Sequence, residues 1–364
     1  MFNDIYRGKK VLVTGHTGFK GTWLTTWLLE LGADVCGISI GIPTSPSMFE
    51  ELKIEDKIQH HFADIRDRAA IDKIINDYQP NFIFHLAAQP IVSLSYTDPL
   101  DTISTNVMGT ANVLDVLKNV DFECNVVMIT SDKCYENVEW VWGYKETDAV
   151  GGRDIYSGSK GAAEVIFHAY HQSFFINSGK VRVVTGRAGN VIGGGDWAAD
   201  RIVADCVRAW SSNNKVEIRC PEATRPWQHV LEPLSGYLML GEKLANNPKL
   251  NGEQFNFGPR AEQNHTVLDL LSNLSDKWGF SNSEQAFTVT DNLPFHEAGL
   301  LKLNCDKALF HLKWEATLNY VECTQLVSDW YVNFYKGGEN SLDFTKSQIN
   351  EYAKIAKKKN IQWL

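Results

Sequence analysis

Residues 11–24 read VLVTGHTGFKGTWL. An apolar run ends at Thr14. Gly15, Gly18 and Gly21 follow at intervals of three, and Trp23, Leu24, Trp27, Leu28 and Leu31 then recur at helical spacing. A strand that turns into a helix needs one glycine; three in register ask for more. Gly15 suits the tight turn. Gly18 lets the backbone approach an anion with no Cβ in the way. Gly21 lets the new helix pack closely on the sheet. The helix N-terminus offers free N–H groups and the positive end of a dipole to a pyrophosphate. The spacing, GxxGxxG, is one residue longer than the GxGxxG fingerprint. Such a loop requires a strand before it, a helix after it and a sheet beneath it.

The rest of the first half supplies that sheet. Strand-like runs fall near 10–14, 34–40, 58–63, 81–87, 125–130 and 181–187, with helical patterns near 19–31, 67–78, 99–118 and 157–175. Gly32 stands where the first helix should stop. Strand and helix alternating at this spacing predict right-handed crossovers and an α/β fold: a Rossmann-type doubly wound parallel sheet. Past residue 190 the alternation breaks, and glycine, proline and tryptophan gather in NVIGGGDW and CPEATRPWQHV. A smaller C-terminal substrate-binding lobe is expected there, over the carboxyl ends of the strands. The expected division is a dinucleotide-binding domain over 1–188, catalytic residues included, and a mainly substrate-binding lobe over 189–330 with some strands returning to the sheet. A helical segment then completes the chain over 331–364.

A net charge of −9 argues against a nucleic-acid partner. The seven cysteines form no CxxC pair, which predicts reduced thiols rather than a disulfide frame or a metal site. With no apolar run of about 18 residues, no membrane span is expected, and the expected location is cytoplasmic.

Several stretches add chemistry to the glycine loop. The second strand ends in VCGISIG, where an acid would meet the adenosine ribose; Ser39 and Ile40 stand there instead, so the choice between NAD and NADP stays open. His16 and Lys20 are the cations that would favour an extra phosphate. Asp64, in ADIRD, is either an acceptor for an adenine amino group or a helix N-cap. HLAAQP ends the fourth strand in small residues, Ala87 and Ala88, that let a cofactor lie against the backbone. VVMITSDKCY ends a buried strand in Ser131, Asp132 and Lys133, and YSGSK opens a helix with Tyr156 and Lys160 one turn apart. A phenol titrates near 10 when free, and a nearby ammonium favours its phenolate. With a serine holding the substrate oxygen, such a pair takes a proton from an alcohol while hydride leaves its carbon.

With TGHTGFKG, HLAAQP, NVMGTANVL, YSGSK, RAGNVIGGGDW and RPWQHV in this order, the chain resembles the extended short-chain dehydrogenase/reductases. The resemblance implies a cofactor site of Gly15, Thr17, Gly18, Phe19, Lys20, Asp64, Ile65, Leu86, Ala87, Ala88, Thr105, Tyr156 and Lys160. It also implies substrate contacts from Asn190, Arg201, Arg225, Asn256 and His296, and a helix-stabilising role for Asn106. The helices over 99–118 and 157–175 are the ones that pair across a dimer in the family, so a homodimer or homotetramer is expected. Within the family the chain looks like the nucleotide-sugar 4,6-dehydratases, which carry Thr-Asp-Glu where this chain has Ser131-Asp132-Lys133. That change, with WVWGY and GGGDW, is similar to the CDP-sugar branch and implies CDP-glucose as substrate. The implied reaction is an internal NAD redox cycle: C4 is oxidised, water is lost across C5 and C6, and C6 is reduced. Asp132 would protonate the departing C6 oxygen.

Lys133 takes the place of the usual glutamate base. A free lysine is neutral in only about one part in two thousand at pH 7, so a base role requires its pKa to fall by roughly 3, about 4 kcal/mol. Base, enolate stabiliser and structural ion pair with Asp132 or Glu136 all stay open. Neighbours on a strand point to opposite faces, so Asp132 and Lys133 can both face a sugar only if the strand has ended by Ser131. Trp140, Trp142 and Trp197 either stack on the base or pack the core. The rival readings are a dehydratase of another nucleotide sugar (dTDP or GDP), an epimerase or decarboxylase on the same scaffold, which needs no acid at C6, and a binding protein without catalysis.

Overall fold

Among the described residues, seven strands form the central sheet: β1 (Lys10–Thr14), β2 (Asp34–Ser39), β3 (Gln59–Phe62), β4 (Phe82–His85), β5 (Cys124–Ile129), β6 (Val181–Ala188) and β7 (Gln254–Phe257), with β3 the polar, exposed edge. The structure is a computed structural model and describes residues 1–290 and 300–364. The strand order is β7-β6-β5-β4-β1-β2-β3, every pairing parallel. Alternation sends Val11 and Val13 into the core on one face and Leu12 into the core on the other, as a sheet covered on both sides requires. The order reverses between β1 and β4, which opens a crevice at their carboxyl ends.

Among the described residues, the helices of eight residues or more are α1 (Phe19–Glu30), α2 (Arg68–Tyr78), α3 (Thr110–Leu117), α4 (Ile155–Tyr170), α5 (Ile202–Ser211), α6 (Leu231–Asn246), α7 (Val267–Trp278), α8 (Tyr320–Tyr335) and α9 (Ser341–Lys358). Local chemistry sets their ends. Gly32 follows α1 with φ +78°, the left-handed stop expected of it. Capping boxes, Thr266 with Asp269 and Asn319 with Glu322, open α7 and α8. The helix expected over 99–118 is broken into Pro99–Ile103, a π-turn Ser104–Gly109, and α3. Asn106 lies in that π-turn, buried, and its amide donates to the Gln89 carbonyl (3.1 Å) and Ser159 Oγ (2.9 Å) while accepting from Gln89 N–H (2.8 Å). It ties the β4 exit to α4.

Past β6 the chain adds three short strand pairs: 191–192 with 228–229, 216–218 with 287–289, and 224–225 with 265–266. Between 228–229 and 265–266 it returns to the sheet as β7. Helix α8 runs through residue 330, so the C-terminal segment begins inside a helix rather than at a linker. The end of the chain docks on its beginning: Trp363 stacks on Phe2 at 5.3 Å, and Phe2 N–H donates to the Trp363 carbonyl at 2.8 Å. Among the described residues no helix is long and apolar enough to cross a membrane.

Candidate active site

Gly15 takes φ +76°, and a Cβ there would stand 2.8 Å from Ala87 N. Glycine is therefore needed both for the left-handed turn and for the close approach of β1 to the β4 exit. A Cβ on Gly21 would sit 2.0 Å from the Gly15 carbonyl oxygen. Gly21 thus lets α1 close on the glycine turn itself, rather than on the sheet as expected. Gly18 is the N-cap of α1 and offers no side chain to it, so first-turn N–H groups stay available for an anion. Thr17 closes the loop: its hydroxyl donates to the Gly41 carbonyl (2.6 Å) and its N–H to Ser39 Oγ (3.2 Å). Phe19 packs beside Gly193, where a Cβ would meet its ring at 2.9 Å.

At the adenosine end two expectations change. His16 turns inward, with Nδ1 2.9 Å from Ser39 Oγ and Nε2 2.7 Å from His60 Nδ1. Burial lowers its pKa to about 4, so it brings no cation to a ribose phosphate. Ser39 is occupied by the loop in turn. Asp64 is not the helix cap; Asp67 caps α2, accepting from the N–H groups of Ala69 and Ala70. Arg66 instead grips Asp64 through Nε (2.9 Å) and Nη2 (2.7 Å), and this hydrogen bonding holds the carboxyl below its usual range. Ile65 is buried in the core against Gly109. Leu86 and Ala87 donate their N–H groups to Thr14, at its carbonyl (3.1 Å) and its hydroxyl (3.2 Å). Ala88 continues the same β4 exit, and Thr105 lies half-buried in the π-turn before α3.

The condition on Asp132 and Lys133 is met. β5 ends at Ile129, and Asp132–Cys134 form a 3₁₀ turn with Ser131 as its cap. Ser131 Oγ donates to Asp132 Oδ1 (3.0 Å) and accepts from Lys133 N–H (3.2 Å). Asp132 is 4% exposed, and burial raises its pKa against the pull of Lys133, Ser131 and Lys20. Lys133 lines an open cleft. Opposite stands the start of α4, capped by Asp154, which accepts from Ser157 N–H (2.9 Å) and Oγ (2.7 Å). Tyr156 and Lys160 are both buried, with Lys160 Nζ 5.9 Å from the Tyr156 ring centre. Burial raises the Tyr156 phenol; the charge of Arg201 and a hydrogen bond with Ser131 oppose it, while Asp132 and Asp154 add to it. Burial pulls Lys160 down to about 8. On the glycine loop, enclosure lowers the Lys20 pKa to about 8; the charges of Arg201 and Lys160 add to the fall, and Asp132 and Asp196 oppose it.

The cleft beside Lys133 is walled by Asn190, Arg201 and Arg225. Arg153 and Arg219 also line it and were missed. Arg153 directly precedes the cap of α4, and Arg219 lies in the segment that carries Arg225; position in those segments was the available signal. Asn256 is a correction. It is fully buried on β7, accepts from Tyr135 OH (2.8 Å) and donates to the carbonyls of Tyr144 (2.9 Å) and Asn304 (3.1 Å). Its amide is consumed by protein, so it braces the wall instead of meeting substrate. His296 lies outside the described residues. Trp197 belongs to the core, its indole N–H donating to Tyr335 OH (2.9 Å), whereas Trp140 and Trp142 are exposed.

The arrangement joins a dinucleotide cradle, a Ser–Tyr–Lys set and a buried acid beside an arginine-rich cleft. A family model described as GDP-mannose 4,6 dehydratase matches residues 12–327. The CDP-glucose 4,6-dehydratase of Salmonella typhimurium is 44% identical over 96% of this chain and 97% of its own. Among solved structures, UDP-glucose 4-epimerase from Thermotoga maritima aligns with TM-score 0.76 at 21% identity, over 89% of this chain and 99% of its own. A dTDP-glucose 4,6-dehydratase from Streptomyces venezuelae, solved with NAD bound, aligns with TM-score 0.76 at 19% identity, over 91% and 99%. These two share the fold. With the family model spanning 12–327 and a 44% identical relative spanning nearly the whole chain, the protein belongs to the GDP-mannose 4,6 dehydratase family, within the extended short-chain dehydrogenase/reductases.

Proposed function

We propose that the chain removes water from CDP-glucose to give CDP-4-dehydro-6-deoxyglucose. The observation that supports this reading is the end of β5 at Ile129, after which Ser131, hydrogen-bonded with Tyr156, caps the short turn that carries Asp132 and Lys133. The relative at 44% identity supports the cytidine nucleotide.

The cradle left by Gly15 and Gly18 and the uncapped start of α1 fit a dinucleotide. Gly15, Thr17, Gly18, Phe19 and Lys20 would hold its pyrophosphate side, Asp64 and Ile65 the adenine, and Leu86, Ala87, Ala88 and Thr105 the middle; Tyr156 and Lys160 would meet the nicotinamide ribose. NAD supplies reversible storage of the C4 hydride when bound. The inward turn of His16 favours NAD over NADP, because its ring is held by Ser39 and His60 and burial keeps it neutral.

Tyr156, as phenolate, takes the C4 hydroxyl proton while Ser131 holds the oxygen. The resulting ketone acidifies C5, where Lys133 removes the proton or stabilises the enolate. Asp132, held toward its protonated form by burial, gives its proton to the departing C6 oxygen, and the double bond left across C5 and C6 takes the stored hydride at C6 and a proton at C5. An epimerase has no use for that acid. Arg225 and Arg201 would pair with the pyrophosphate, for which a guanidinium fork is suited, and Asn190 would hold the edge of the sugar. The helix pairs that carry Leu100 and Met108, and Val165 and Phe174, leave these side chains exposed, which fits a homodimer. The free cysteines fit the cytoplasm.

The test is incubation with CDP-, dTDP-, UDP- and GDP-glucose and mass detection of water loss. CDP-glucose should react fastest by far. Equal turnover of dTDP-glucose would remove the cytidine assignment, and no water loss from any of them would remove the reaction.

A further inference from the structure

Behind the catalytic turn lies a polar group that the mechanism does not use. Glu164, one turn beyond Lys160 on α4, and Arg187, at the end of β6, form an ion pair with both side chains 3% exposed. Each carboxylate oxygen has two donors. Oε1 accepts from Arg187 Nε (3.0 Å) and the Thr130 hydroxyl; Oε2 accepts from Arg187 Nη2 (2.8 Å) and the Thr185 hydroxyl (3.1 Å). Arg187 Nη1 then donates to Tyr135 OH (2.8 Å), which donates to Asn256.

Thr130 directly precedes Ser131, and Tyr135 directly follows the 3₁₀ turn. The pair therefore grips both flanks of the segment that carries Ser131, Asp132 and Lys133. It anchors them to the helix that carries Tyr156 and Lys160. Gly161 brings that helix close to the turn, where a Cβ would stand 3.2 Å from the Cys134 carbonyl oxygen. A buried ion pair contributes little net stability against an apolar replacement, because desolvation offsets its attraction. What it does provide is a fixed geometry, since four donors on one carboxylate define a single arrangement.

We propose that Glu164 and Arg187 act through Thr130 and Tyr135 as positioning residues, holding Ser131 and Asp132 in register with Tyr156. The proposal rests on the dehydratase reading above.

The test compares Thr130→Val, which removes one grip at nearly constant volume, with Thr130→Ser, which keeps the hydroxyl. Tyr135→Phe loosens the other flank and serves if Thr130→Val fails to fold. Thr130→Val should lower kcat with CDP-glucose by roughly 10–100-fold, the scale expected when reacting groups shift by a fraction of an ångström to one ångström. KM should stay within about threefold of the parent, and the isotope effect on kcat from C4-deuterated substrate should grow, since Ser131 and Tyr156 serve C4 oxidation. Thr130→Ser should return kcat to within about threefold of the parent. An active parent whose Thr130→Val and Tyr135→Phe variants keep its kcat and isotope effect overturns the clamp and leaves the dehydratase reading intact. So does a Thr130→Ser variant as slow as Thr130→Val. A parent that takes water from none of the nucleotide-glucoses overturns the reading, and the clamp with it.

Discussion

Glu232→Gln should flatten the pH dependence of folding stability. Glu232 opens α6 and is 1% exposed. Its oxygens accept from Thr317 N–H (2.9 Å), Leu318 N–H (2.6 Å) and Tyr352 OH (2.9 Å), so it seats the segment before α8 and the middle of α9. Burial raises its pKa to about 7 from the ordinary 4.5, against the pull of the Thr317 and Leu318 N–H groups, Tyr352 and Lys359. A carboxyl whose pKa is raised by folding binds its proton more tightly in the native state. Its contribution is thus fully present below pH 4.5 and is lost as pH rises to about 7. A rise of this size corresponds to about 3 kcal/mol. Glutamine is neutral throughout and sets its NH₂ against a backbone donor, which costs about 1–3 kcal/mol at any pH. The parent should therefore be the more stable protein at pH 5, and the gap should shrink by about 2.5 kcal/mol by pH 8. Urea unfolding of both proteins at half-unit steps measures it. Curves that stay parallel from pH 5 to 8 would refute the assignment of a buried, proton-binding Glu232.

Tyr156→Phe should prevent C4 oxidation, giving no absorbance rise near 340 nm on mixing with CDP-glucose and NAD. Asp132→Asn should show that rise while water loss falls by roughly 10²–10⁴, the usual effect of removing a positioned acid; neither signal from Asp132→Asn would move the C6 acid elsewhere. Lys133→Met should behave like Asp132→Asn and slow exchange of the C5 proton with deuterium, and dehydration near the parent rate would exclude Lys133 from the chemistry. Leu100→Glu with Val165→Glu should yield monomers by sedimentation velocity, because both side chains are exposed on helices that pack together. An unchanged dimer would place the interface elsewhere.

The sheet was legible because strands buried on both faces have to be apolar from end to end. β1 and β5 therefore announce themselves between glycine, threonine and serine. The glycine loop was legible for the same local reason, although the partner of Gly21 was not: the Gly15 carbonyl meets it only once the turn has closed. What sequence leaves open is decided by segments far apart in the chain. Asn256 reads as a polar residue at a strand end, and whether it meets substrate or protein depends on Tyr135 and Asn304 arriving beside it. Asp132 and Lys133 read as neighbours on opposite faces until β5 is seen to stop at Ile129. Glu164 carried a usable signal. It follows Lys160 by four residues, on the same helix face, within an apolar stretch where an unpaired charge is untenable. Arg187 carried the complementary one, a cation closing an apolar strand. Each buried charge alone predicts only that a partner exists. Two of opposite sign, on the helix and the strand that flank the Ser131 turn, would have identified one another. Unmatched buried charges are thus the part of a catalytic scaffold that a single sequence discloses after its loops and motifs have been read.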